Sequence, residues 1–135
     1  MVDPIKLGII GINEGNGHPF SFSAIINGFD NVGMKNAGWD VIYNYLISRH
    51  ASEFGFENVQ VTHAWTQDPE QTRKLVKASK IPHAVENIED MVNEVDGVII
   101  ARDDYETHFP LAKTFLEKGK FVFIDKPLSL DVEEL

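Results

Sequence analysis

Cysteine is absent from the 135 residues, so neither a disulfide framework nor a thiolate metal site can be built. Basic charge is scarce. Twelve lysines and arginines stand against 21 acids, for a net charge of −9. A chain of that sign repels a phosphate backbone unless a local basic patch intervenes, and the densest cluster, RKLVK at 73–77, is small. Nucleic acid is therefore not an expected partner. No run approaches the ~18 apolar residues of a membrane span, so no membrane partner is expected either. The N-terminus has no basic region before its apolar run and no small-residue cleavage site. That argues against a secretory signal and for a cytoplasmic location. The five histidines (His18, His50, His63, His83 and His108) show no HExxH or HxH spacing, so no metal site is expected.

What is present reads as one globular domain over 1–135. Hydrophobic residues make up 43% of the chain and charged residues 24%, both ordinary values. "IKLGIIGI" (5–12) is a short, nearly continuous apolar run, the pattern of a strand buried on both faces. "NVQVTHAW" (58–65) alternates and reads as a second strand. "HAV" is a short third, "DGVIIA" (96–101) a fourth and "KFVFID" (120–125) a fifth. Helical patterns fall between them: near 39–54, at 68–80 behind an Asp-Pro-Glu start, at 87–95 with Asn87 as cap, and at 105–119 ending on Gly119. Pro110 marks a kink or a later start in the last of these. Strands alternating with helices predict a doubly wound α/β fold, a parallel sheet of about five to six strands with helices on both faces. In such sheets ligands bind beyond the carboxyl ends of the strands, near the point where strand order reverses.

The residues at those ends are the candidate site. After the first strand comes Gly11-Ile-Asn-Glu-Gly15-Asn-Gly17-His-Pro. A dinucleotide fingerprint wants glycine at 11, 13 and 16, and only Gly11 fits, with Asn13 and Asn16 in the other two places. The turn around Gly11, Asn13 and Gly15 could still bring backbone N–H groups to a phosphate, or be a loop without a ligand. An acid that would hold a cofactor ribose is missing after the second strand, where Trp65, Thr66 and Gln67 stand. Trp65 is open to two readings, stacking on an adenine or packing. Arg102 and Asp103 either line the cleft or serve locally, Arg102 pairing with an acid while Asp104 caps the next helix. Lys126, between Asp125 and Pro127 at the fifth tip, is pre-positioned to donate hydrogen bonds to ribose and substrate hydroxyls. The alternative is a solvated lysine in a turn.

Residues 95–135 resemble the nucleotide-binding half of the Gfo/Idh/MocA oxidoreductases, the family of glucose-fructose oxidoreductase and inositol dehydrogenase. His108, Gly119-Lys120 and Asp125-Lys126-Pro127 occupy the family's histidine, Gly-Lys and Glu-Lys-Pro places, and "KLGIIGI" and "DPE" fit as well. The likeness is strong from 95 to 130 and poor from 13 to 57. It implies a Rossmann domain and NAD or NADP as cofactor. Lys126 would be the catalytic contact to the nicotinamide ribose and the substrate hydroxyl, with the bond before Pro127 often cis. The substrates would be sugars, polyols or sugar nucleotides, and a second domain beyond Leu135 would carry the catalytic histidine. The long segment 13–57 departs from the family. Its stretch 13–35 is expected to be the least ordered or most unusual part, or else a substrate loop built on His18 and Ser21, with His108 as a further candidate. An exposed apolar cleft face would favour self-association into a homo-oligomer. The alternative function is a stand-alone nucleotide-binding module or sensor without turnover.

Overall fold

The computed structural model describes residues 3–135. Five strands form one sheet: β1 (Ile5–Ile10), β2 (Val59–Trp65), β3 (His83–Ala84), β4 (Gly97–Ile100) and β5 (Phe121–Ile124), in the order β3-β2-β1-β4-β5. Every neighbouring pair is parallel. Strand order reverses at β1, with β2 on one side and β4 on the other. That reversal creates the crevice in which open α/β sheets bind ligands.

Alternation along the central strands divides the core into two layers. Ile9, Val61, Ala64 and Ile99 face one side. There they pack with Phe20 and Ala24 of α1 (His18–Asn27), Met34 of α2 (Asn31–Asn36), Leu46 of α3 (Asp40–Ile47) and Leu75 of α4 (Pro69–Ala78). Ile10, Val98 and Ile100 face the other side, against Met91 of α5 (Glu89–Val92) and Ala112 and Phe115 of α6 (His108–Leu116). Covering on both faces leaves every residue of β4 buried, which is why that strand reads as an unbroken apolar run.

Several helices differ from the sequence expectation. The pattern over 39–54 yields a helix that stops at Ile47, followed by a separate 3-10 turn at Ala51–Glu53. The restart has a local cause. The His50 ring accepts from the Ser52 amide, and Glu53 reaches back to the His50 N–H, so the chain is capped anew at 50. Asn87 does not cap α5 through its side chain: the helix begins after Ile88, and the Asn87 carbonyl takes the Asp90 amide. The last helix starts later than 105. Tyr105–Thr107 form a 3-10 turn and α6 follows from His108, which places Pro110 in its first turn, where the missing N–H costs little. The stretch 13–35 is not a loop but holds α1 and α2. The Asp30 side chain caps α2 by accepting from the Gly33 amide at 2.7 Å. Among the described residues, no helix is long and apolar enough to cross a membrane.

Candidate functional site

Parallel register brings the strand tips to one edge. Ile10 pairs with Trp65 and Ile100, and Ile100 pairs with Ile124. The ladder continues one residue further: Gly11 N–H donates to Trp65 O at 3.0 Å, Ala101 N–H to Ile10 O at 2.8 Å and Asp125 N–H to Ile100 O at 2.9 Å. Gly11, Arg102 and Lys126 therefore emerge at the same edge.

The turn after β1 is tied to both strands beyond the reversal point. Its two asparagines, at the places where a fingerprint has glycine, make the ties. Asn13 exchanges two hydrogen bonds with Asp103, amide to carboxylate and, at 3.1 Å, Asp103 N–H to Asn13 Oδ1. Asn16 donates to Asp125 Oδ2 at 3.2 Å, and its own Oδ1 takes the His18 amide at 2.9 Å. His18 Nδ1 meets the same carboxylate oxygen at 2.5 Å, and its ring stacks on Phe22 with centroids 4.8 Å apart. Burial pushes the Asp125 carboxyl up. The hydrogen bonds from His18 and Asn16 outweigh that, helped by the His18 charge and the Lys126 amide, and hold it below the usual carboxylate range. Glycine is required at 11 and 17 for close approach. A Cβ at Gly11 would lie 2.5 Å from Pro19 Cγ, and one at Gly17 would lie 2.7 Å from Trp39 Cε3 in the rigid indole.

Behind the turn lies a second network. Gln67 accepts from the Ile12 amide at 2.9 Å and returns a hydrogen bond to the Ile12 carbonyl. Buried Arg102 donates to Gln67 Oε1 at 2.9 Å, to Gly11 O at 3.3 Å, and in a two-pronged pair to Asp104 at 2.9 and 2.6 Å. The guanidinium holds the Asp104 carboxyl below its usual range. Arg102 thus supports the turn from beneath. Thr66 is buried too, its hydroxyl donating to Asp68 O at 2.6 Å. Trp65 sends its indole N–H to Glu86 O at 3.1 Å and packs against the α5–α6 layer. His108 is fully buried, with Nε2 2.6 Å from Arg102 O and Nδ1 3.3 Å from Leu128 O, so it joins the β4 tip to the chain after β5. Ser21 bonds weakly to His18 O at 3.4 Å. Lys126 is exposed, the Lys126–Pro127 peptide is cis, and no internal partner holds the ammonium among the described residues.

A cleft of about 460 Å³ opens beside the turn, lined by Asn13, Glu14, Gly15, Trp39, Gln67 and Asp68 among others. The N-terminus of α1 does not serve this cleft. Its His18 amide is taken by Asn16, Pro19 has none, and the Phe20 amide bonds to Gly17 O at 3.0 Å. The amides of Glu14 and Gly15 have no internal acceptor among the described residues, and Gly15 lies at φ +77°. Amides free to take a phosphate oxygen thus lie at the turn rather than at the helix end, with Lys126 further along the same edge. Asn16, Gln67, Trp39 and Asp125 were not chosen as site residues from the sequence, and His18 was chosen for a substrate loop rather than as the partner of Asp125. For Asn16 and Gln67 a signal existed, a polar residue where a strand tip or a glycine turn should be.

A parallel sheet with a polar turn at its reversal point and a lysine at the neighbouring tip defines a nucleotide-binding α/β domain. The family model for the Gfo/Idh/MocA oxidoreductases, described as an oxidoreductase family with an NAD-binding Rossmann fold, matches residues 5–135, and the chain belongs to that family. No curated protein matches it. Solved structures similar to it include the following three. Scyllo-inositol dehydrogenase from Lactobacillus casei, with bound NAD(H) and scyllo-inositol, is 22% identical at a TM-score of 0.62, over 98% of this chain and 31% of that one. UDP-N-acetylglucosamine 3-dehydrogenase from Acidithiobacillus ferrooxidans is 21% identical at 0.62, over 99% and 32%. Biliverdin reductase from Synechocystis sp. PCC 6803, in complex with biliverdin and NADP+, is 18% identical at 0.62, over 97% and 32%. The chain thus spans about a third of the length of these proteins.

Proposed function

We propose that this chain is the dinucleotide-binding part of an oxidoreductase acting on a hydroxyl of a sugar, polyol or sugar nucleotide, with NAD(H) preferred to NADP(H). The observation that carries the reading is Lys126, exposed and unpaired at the β5 tip on the same edge as the glycine turn. When bound, a nicotinamide dinucleotide supplies the hydride acceptor or donor. The chain's own residues bind and orient. The free amides of Glu14 and Gly15 take phosphate oxygens, Asn13 and Asp103 keep the turn over the β4 tip, and Lys126 donates to the nicotinamide ribose and to the substrate hydroxyl. The substrate class follows the scyllo-inositol and sugar-nucleotide dehydrogenases among the structural neighbours. We place the acid–base histidine and most substrate contacts outside these residues, since the neighbours are three times as long. The cofactor preference follows from charge. Glu14 and Asp68 line the cleft and no lysine or arginine does, a setting that suits ribose hydroxyls and repels a 2′-phosphate.

Titration calorimetry with NADH and NADPH tests this. Wild type should bind NADH, NADPH about tenfold more weakly, and Lys126→Ala should weaken NADH about tenfold, the scale of one charge-assisted hydrogen bond. Binding of neither cofactor would overturn the reading. A preference for NADPH abolished by Arg73→Ala would instead place the ribose in the neighbouring recess, where Arg73 lies with Thr66 and Glu86.

A further inference from the structure

We infer that Trp39, from the helical insertion between α1 and β2, is the aromatic platform for the adenine of the dinucleotide. This rests on the reading above and adds to it a residue that lies outside the strand tips. The two tryptophans of the chain, Trp39 and Trp65, are both half-buried against a core layer and differ in what their remaining edges meet. Trp65 has its N–H bonded to Glu86 O and its ring packed against the α5–α6 layer. Trp39 lines the cleft beside Gly15 and Asp68, and its indole N–H has no internal acceptor among the described residues.

The ring is held from behind. Gly17 lies so close that a Cβ there would come within 2.7 Å of Trp39 Cε3, and Phe20 packs with its centroid 6.0 Å away at a 42° tilt. Gly38, at φ +88°, turns the chain from α2 into α3 just before it. A fixed indole with one flank packed and another on an open cleft is what a purine stacks on. Polar partners for the attached ribose line the same cleft. Asp68 uses Oδ1 to cap α4 through the Glu70 amide at 2.9 Å, which leaves Oδ2 for a hydroxyl, and the Gln71 amide lines the same cleft. The insertion thus supplies the adenosine contact that the missing acid after β2 does not.

The test uses the two tryptophans as reporters. Trp65→Phe leaves Trp39 as the sole emitter, and Trp39→Phe leaves Trp65. Each is titrated with 5′-AMP, NAD+ and nicotinamide mononucleotide, with calorimetry alongside. Trp39 emission should be quenched by AMP and NAD+ but not by the mononucleotide, while Trp65 emission stays level. Trp39→Ala should bind NAD+ about tenfold more weakly, and Trp39→Phe should retain most of the affinity. Quenching of Trp65 instead, or wild-type affinity in a folded Trp39→Ala, would overturn the Trp39 assignment alone. Failure of wild type to bind any dinucleotide would overturn the functional reading with it. Should Trp39→Ala fail to fold, the quenching arm of Trp65→Phe decides.

Discussion

The two connections flanking β1 and β4 are built differently. Between β4 and β5 the chain takes a single short helix, α6, whose Ala112 and Phe115 lie buried against the sheet. Between β1 and β2 it takes three helices. The first and second pack on the core, but the third buries only Leu46, with Val41, Tyr45 and Ile47 left about half or more exposed. The first connection is a packing device with little freedom to vary. The second has a packed base and a loosely held outer layer, and the polar residues that reach across the site (Asn13, Asn16 and His18) come from its beginning.

That contrast breaks most visibly in stability. Phe115→Ala should cost about 3–5 kcal/mol, because it empties a fully buried site between two elements. Val41→Ala, at a residue 85% exposed, should change stability by no more than about 0.5 kcal/mol. Urea unfolding measures both. Hydrogen exchange sharpens the point: amides of α3 should exchange through local opening well before those of β4. Protection of α3 equal to that of β4 would show that the outer layer is part of the core.

How much could be read from the sequence follows the same division. Apolar runs and alternation located all five strands to within a residue or two at most ends, since burial on one or both faces leaves a period that needs no tertiary information. The shared edge of Gly11, Arg102 and Lys126 followed from parallel topology. The roles of the side chains at that edge did not follow. Arg102 reads either as a cleft-lining charge or as the partner of a nearby acid, and only its contacts with Asp104, Gly11 O and Gln67, two, 91 and 35 positions away, decide for the second. Asn13 and Asn16 read as losses from a glycine fingerprint, because a pattern match cannot show that their amides span to acids 90 and 109 residues on. The break of the 39–54 helix at His50 was equally hidden, since it depends on a histidine ring acting as a cap.

A middle-sized effect is expected where the two regions share a support. Arg102→Ala removes donors from Gly11 O, Gln67 and Asp104 together and leaves a half-buried carboxylate unpaired. The loss should be about 2–3 kcal/mol, below the cost of a fully buried pair, because Asp104 still reaches solvent. Arg102→Lys should recover only part of it, since a lysine cannot make the two-pronged contact. Full recovery by lysine would mean that charge alone, and not the fork, supports the turn.

The smallest effect, and the most specific, concerns the one acid to which the β1–β2 connection is tied at the β5 tip. Asp125 titrates below the usual carboxylate range in the folded chain, so the folded state binds fewer protons there than the unfolded one. Its contribution to stability is therefore fully present above about pH 4, the ordinary value for an aspartate, and is lost as pH falls through the lowered folded value. His18→Phe keeps an aromatic ring against Phe22 while removing the largest of the bonds that lower the titration. Asn16, itself a donor to the same oxygen, remains. Carboxyl chemical shifts followed against pH should then show Asp125 titrating higher, toward the ordinary range. Urea midpoints measured from pH 7 to pH 3 should fall less steeply at the acid end than in wild type. Asp104, whose lowered titration comes first from Arg102, serves as the internal control and should not move. An unchanged Asp125 titration in His18→Phe would show that Asn16 and the Lys126 amide hold the carboxylate by themselves. The His18 contact would then add nothing to the tie between the turn and the lysine-bearing tip.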